Sequence, residues 1–559
     1  MIRKPFISMG IVLAVLGFVG FGGIARAQHP AEPAGAVEPK PPALLAGLGS
    51  HRHPIATSSP EAQKFFDQGM VMLFGFNHEE SFRSFEKAAQ LDPKSPMPHW
   101  GMALATGSNY NDPAPEASRL QRARAEVDKA LALALAASAP ENERAYVDAL
   151  SKRYAADPAA DKSALLRDYH AAMRDLSKKY PDDLDAATLF AESGMNLRPW
   201  KLYRPDGMPE EGTEEIVAVL ESVLKHDPSH PGANHYYIHA VEASRHPERA
   251  LASATRLETL VPSAGHLVHM PSHIYIRTGS YLEAERSNAV AAEVDRQYIR
   301  DTGANGMYPM MYYTHNVHFQ SAAAAMAGRH GEAKKAADVL FSDALPGVVH
   351  EPMLEGFLTQ PLFVALRFQK WNEIRKTEDP GPKLPLYRAT WLYARGLAAA
   401  ATKDAQGADA LRVAYGIARD AVPPALMAGP QNSGAAMLAV ATHVLDARIA
   451  EAAGDRTAAL ASWEKAVEAQ DALAYDEPPA WYYPVRESHG AALLRASRAA
   501  DAERVFRDDL ERNPRNPRSL LGLSESLKAQ GKTADAAFAR AQFDAAAKDA
   551  DVPLRIEDL

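Results

Sequence analysis

Along most of the chain, apolar and small residues recur every three to four positions, the period of an amphipathic helix. Runs that alternate Val, Ile, Thr and aromatic residues with polar ones are sparse, so the pattern predicts helices and almost no strands. A longer period lies on top of the short one. In the window from Ala62, Gly69, Phe85, Ala88 and Pro93 fall where two antiparallel helices need a small residue, a large apolar one, a second small one and a helix-ending proline. The same frame places Ala250 and Pro262 in the window from Pro231, and Tyr275, Gly279, Ala284 and Ala291 in the window from Gly265. It returns at Gly454, Ala459, Trp463 and Ala466, at Gly490, Ala502, Phe506 and Pro514, and at Gly531 and Ala536. Around 120–180, 355–380 and 385–420 the punctuation weakens, yet the alanine-rich periodicity still predicts helix.

That spacing, close to 34 residues per unit, resembles the tetratricopeptide repeat (TPR). The resemblance covers most of the chain from about residue 60 and implies an all-α, TPR-type helical-hairpin solenoid wound into a right-handed superhelix. The stretches "FDQGMVMLFGFNHEESFRSFEKAAQLDP", "HWGMALATGSNYN" and "EPPAWYYPVR" resemble those of a group of exported bacterial TPR proteins. The expected organisation is an export signal over 1–27, a Pro- and Ala-rich disordered linker over 28–48, and TPR-like repeats over 49–230. Histidine-rich repeats over 231–345 and C-terminal repeats over 346–559 complete it.

The export signal rests on Arg3 and Lys4, the apolar run Ile7 to Gly23, and Ala25-Arg26-Ala27 at the expected cut after Ala27. A periplasmic or secreted chain with no membrane span after cleavage follows, since no later segment offers the ~18 apolar residues that a spanning helix needs. A net charge of -9 argues against a nucleic-acid partner. Cysteine is absent, so disulfides and thiolate metal sites are excluded, and any metal must be held by nitrogen and oxygen.

The candidate chemistry is carried by histidine. His235 and His239 occupy the fifth and ninth places of one repeat window, and His266, His269 and His273 the second, fifth and ninth of the next. After an insertion that contains "GANGMYPMMYY", His315 and His318 take the second and fifth places of a third window from Thr314. Places separated by three and four residues share one helix face. In TPR proteins, the resemblance implies, those places face the concave groove where ligands sit. First helices stacked roughly 10 Å apart would let imidazoles converge on ions between them. Imidazole is the commonest nitrogen ligand, and seven exceed what one tetrahedral ion takes, so two ions, or one ion plus acid-base histidines, are expected. An all-imidazole set suits copper or zinc, with iron less favoured for want of bridging glutamates. Glu242, three residues after His239, is the one obvious carboxylate, as a further ligand or an acid-base group.

A metal-dependent enzyme is the leading functional expectation, a copper oxidase or oxygenase before a zinc hydrolase, acting on a small-molecule or peptide ligand in the groove. Tyr236, Tyr275, Arg277, Tyr312 and Tyr313 are the candidates for a substrate pocket. The alternative is a noncatalytic scaffold that binds a periplasmic protein or peptide through the same groove. His51 and His53 in "GSHRHP" are expected in an exposed loop, the alternative being further ligands from the N-terminal arm, and His78 at a helix cap. The segment 477–487 either faces the groove or serves as a rigid proline-aromatic connector.

Overall fold

Local signals start the helices. Ser59, Asn77, Asp183, Asp404, Ser433 and Asp455 each accept a hydrogen bond from a first-turn N–H, and proline opens the helices Pro231–Val241, Pro271–Arg277, Pro385–Ala401 and Pro517–Ala529. Asn77, not His78, thus caps the second helix, His78–Leu91. In this computed structural model, residues 40–559 are described except 137, 138 and 158. The expected export signal and linker residues 28–39 lie outside the described residues. Among the described residues there is no strand, only two isolated bridges, Tyr203 to Pro209 and Met427 to Ser433.

The repeat punctuation has a direct packing cause. The buried Phe85 ring lies between Gly69 and Gly101, so close that a Cβ on either glycine would sit 2.5 or 2.7 Å from it. Phe506 lies between Gly490 and Gly522 in the same way near the other end of the chain. A large side chain of one helix thereby fills the gap left by glycines on its two neighbours, and hairpin follows hairpin. The architecture is an all-α solenoid of TPR-type helical hairpins.

Contacts far apart in sequence supplement this neighbour-on-neighbour packing. Tyr298 donates to Glu80 (3.1 Å), and the Met307 N–H donates to Glu79 (2.8 Å), which ties the second helix to the middle of the chain. From the other end, Tyr281 donates to the Pro514 carbonyl (3.1 Å), and Asp551 accepts the N–H groups of His330 and Gly331 (2.7 Å each). Arg367 meets Glu487 through a buried, forked ion pair at 3.1–3.2 Å, to which Asn516 adds a hydrogen bond of 2.8 Å.

The residues from Lys40 to Leu48, expected to be disordered, are instead an extended strip held by named partners. Gln68 bonds the Leu45 N–H and the Ala43 carbonyl, Lys40 N donates to Thr302 O, and Ser263 N donates to Gly47 O.

Candidate metal centre

Three helical segments carry the histidines. His235 and His239 stand one turn apart on Pro231–Val241. Next come the short helices Gly265–His269 and Pro271–Arg277, which meet at Met270. Pro271 has no N–H to offer Leu267, so the run breaks there and the two parts present their side chains differently. His266 consequently joins His235 and His239, while His269 and His273 join His315. His315 lies on Thr314–Met326, entered through a π-helical turn over Tyr308–Tyr313.

The outcome is two adjacent triads. Within each, one ring nitrogen per histidine lies within 4.8 Å of the others. The triads abut: the His239 and His273 rings are 5.3 Å apart, and those of His266 and His269 are 5.4 Å apart. All of these residues are buried except His315, which is half-buried.

Outer partners fix which nitrogens are free. The Nδ1–H groups of His239 and His273 donate to Glu242 Oε1 (2.7 Å) and Oε2 (2.5 Å), so a single carboxylate orients one histidine of each triad. His235 Nδ1–H donates to the Phe74 carbonyl at 2.5 Å. Asn288 spends its amide N–H on Ala284 O and turns Oδ1 toward His269, so His269 Nδ1 must donate (2.6 Å). The Nε2 atoms of these four residues are therefore left as lone pairs pointing inward. Those of His235 and His239, and both ring nitrogens of His266, are buried without a hydrogen-bond partner. In the second triad His269 Nε2 lies 2.8 Å from His273 Nε2 and 3.1 Å from His315 Nε2. A single lone pair cannot accept from two neighbours at once. A cation shared by the three nitrogens satisfies all of them.

Electrostatics favour the neutral ring at five of the six histidines and the charged ring at His273. Burial first, and neighbouring imidazoles second, hold His235, His266, His269 and His315 well below the ordinary imidazole range. Burial also lowers His239, against the pull of Glu242. For His273 burial is outweighed by the Glu242 carboxylate, so its pKa rises. Glu242 stays ionised because the two imidazoles overcome its own burial. It is an orienting partner for both triads, and its oxygens are spent on Nδ1 atoms.

Other expected residues are distributed unevenly. His318 belongs to neither triad; it packs on Phe357 with Gln360 beside it, and burial pushes its pKa down to about 4. Tyr312 meets the His266 ring edge-on at 5.1 Å, and Tyr236 packs against His235 at 5.3 Å. Tyr275 and Tyr313 stand two residues from a triad histidine, on the opposite side of their helices, and bond Glu258 and Asp343 instead. Arg277 donates to the carbonyls of Glu242 (3.0 Å) and Ser244 (3.3 Å).

Several neighbours of the centre were not legible beforehand. Phe76 lies 4.4 Å from His235 and 5.5 Å from His266, and Trp200 and Tyr110 flank His239 at 5.7 and 5.4 Å. Phe76 and Trp200 both take left-handed backbone, φ 56° and 61°; at Phe76 this is the turn between paired helices, where Gly279, Gly328, Gln369, Lys403, Gly454, Ser497 and Gly531 do the same. Of the segment 477–487, Glu477 feels the charge of the centre. Glu477 is buried, accepts the Tyr475 hydroxyl and is pushed up to about 7 by burial, with His273 opposing the shift.

A second histidine cluster lies at the N-terminal strip. His51 and His53, expected in an exposed loop, are drawn in by Asp185, which His53 Nδ1 meets at 2.7 Å, His51 Nε2 at 3.2 Å and His230 Nε2 at 3.1 Å. His230 Nδ1 accepts the Ala233 N–H as a helix cap, so its Nε2 carries the proton and donates. His53 and His230 are thus latched to Asp185 by hydrogen bonds, while His51 Nε2 lies beside the carboxylate without one.

No protein-family model and no curated protein sequence matches the chain. Among solved structures it is similar to the human IFIT1 dimer with m7Gppp-AAAA, at 13% identity and a TM-score of 0.34, over 89% of this chain and 92% of that one. It is also similar to the APC/C hetero-tetramer Cut9-Hcn1, at 13% identity and a TM-score of 0.30, over 83% and 76%.

Proposed function

We propose that this chain is an exported metalloprotein whose two histidine triads each hold a transition metal ion, and that it is a metal-dependent enzyme. The observation that carries the proposal is the meeting of His269, His273 and His315 through Nε2 at 2.8 and 3.1 Å. One proton on a ring satisfies one of these contacts, whereas a metal ion among the three nitrogens satisfies both. Three imidazoles per ion leave room for a substrate or water, as in catalytic rather than closed structural sites. The orientation of His239 and His273 by Glu242 is the carboxylate–histidine arrangement that fixes tautomers at metal sites.

The absence of cysteine and the use of carboxylate oxygens on Nδ1 atoms leave a nitrogen-only donor set, which suits copper or zinc. Copper would supply electron transfer for oxidation of a substrate, and zinc would supply an acidified water for hydrolysis; the pairing of two all-histidine triads favours copper. The protein's own part is to hold the rings neutral, fix their tautomers and surround the ions with Phe76, Tyr110, Trp200 and Phe319.

The test is elemental analysis of the mature chain after expression with copper, zinc and iron supplied. Close to two equivalents are expected, falling sharply in His269→Ala with helicity unchanged. Less than about a tenth of an equivalent of any transition metal would sink the proposal, and the groove would then be a recognition surface for a protein or peptide.

A further inference from the structure

Beside the histidines lies a cavity of about 1890 Å³. Its walls come from distant parts of the chain: Trp200, Arg245 and Arg277 from the first half, Tyr475, Trp481 and Tyr482 from near the C-terminus. Two residues link it to the metal centre. Trp200 lies on its wall and 5.7 Å from the His239 ring, and Arg277, also on the wall, donates to the backbone carbonyl of Glu242.

The wall carries donors that the protein itself does not satisfy. Arg277 spends Nε and one Nη on backbone carbonyls and lies over the Tyr475 ring, with no carboxylate paired to its charge. Arg245 likewise donates only to a carbonyl, that of Asp206, at 2.6 Å. By contrast Arg198 pairs with Glu210 and Arg486 with Asp471. Arg277 and Arg245 are thus left as cations on a wall that also carries the rings of Trp200 and Tyr475.

We propose that this cavity binds an organic anion built on an unsaturated or aromatic ring. A carboxylate rests on Arg277, and the ring lies against the aromatic wall at Tyr475 and Trp200. That anion is the substrate class of the histidine centre, a clause that rests on the metal reading, whereas binding of the anion does not.

The probes are 4-hydroxybenzoate and its neutral counterpart 4-hydroxybenzamide, titrated calorimetrically into the full mature chain, first stripped of metal and then loaded with cobalt. The stripped protein is expected to bind the carboxylate at least about tenfold more tightly than the amide. Arg277→Gln should erase that preference, and circular dichroism should stay unchanged. If Arg277→Gln does not fold, Arg277→Lys keeps the charge without the forked donors and should leave an intermediate preference. Equal affinity for the two probes, no carboxylate binding in the millimolar range, or a preference that survives loss of Arg277 overturns the anion site. With cobalt bound, 4-hydroxybenzoate should shift the visible absorption; unaltered bands would separate cavity from centre. Failure of metal loading with carboxylate binding intact would remove the metal reading and leave the anion site standing.

Discussion

Glu242 carries more of the centre than any histidine does, because each of its oxygens fixes one ring of a different triad. Replacing it with Gln puts an amide N–H where one Nδ1–H now finds an acceptor, so one triad must turn its ring or change tautomer. Metal affinity in Glu242→Gln should fall about 10- to 100-fold, most at one of the two sites, as a competition titration with a chromophoric chelator would resolve. A fall shared by neither site would mean that the carboxylate is only structural. His273 sets the pH behaviour. Its pKa is raised by Glu242 against burial, so of the six rings it is the one for which a metal ion competes most with a proton. Zinc affinity should therefore climb as pH rises through the His273 pKa, with proton release seen as a buffer-dependent binding enthalpy. The register of the histidines was legible in the sequence because a repeat frame aligns them. Their sorting into two groups was not, since it depends on a break at Pro271 whose angle only neighbouring helices decide. His318 illustrates the same limit: it shares a helical face with His315, but the second triad ends one turn earlier.

Among elements, the N-terminal strip gains most from being seen in three dimensions. Its composition is that of a linker, and its anchors lie 132 residues away in the case of His53 and Asp185, beyond any local pattern. Asp185 lowers its own pKa by pairing with these imidazoles despite its burial, and raises those of His51 and His53 against theirs. The sign follows. Histidines with raised folded-state pKa values contribute all their stabilisation below their unfolded value near 6.5, and lose it as pH climbs through the folded values. Asp185 keeps its share until strong acid. Residues 50–56 should thus exchange amide hydrogens more slowly at pH 6 than at pH 9 after correction for intrinsic rates, and Asp185→Asn should abolish the difference. Equal protection at both pH values would show that the strip is held by its backbone bonds alone. The helices themselves were the most legible level, because glycine and phenylalanine positions state the packing directly, as at Gly69, Phe85 and Gly101.

For the whole molecule, the periodic sequence announced a solenoid but was silent on the contacts that join its ends to its middle. Nothing local marks Glu487 as the partner of Arg367, 120 residues earlier. Both are buried and Asn516 completes the group. Truncating Glu487 to Ala leaves a guanidinium without its counter-ion in the interior, so chemical denaturation should show a loss of about 3–5 kcal/mol; a loss under about 1 kcal/mol would place the pair in a solvated setting. The ties from Tyr298 to Glu80 and from Tyr281 to Pro514 span 218 and 233 residues. An ordinary repeat array zips from any nucleus by nearest-neighbour steps, but this chain must close two long loops before those bonds can form, and loop closure on that scale is slow. The hairpins that carry the histidines are close in sequence, while the walls of the adjoining cavity come from distant parts of the chain. On the proposed metal reading, an ion offered before the last closure should therefore exchange faster than one offered after it.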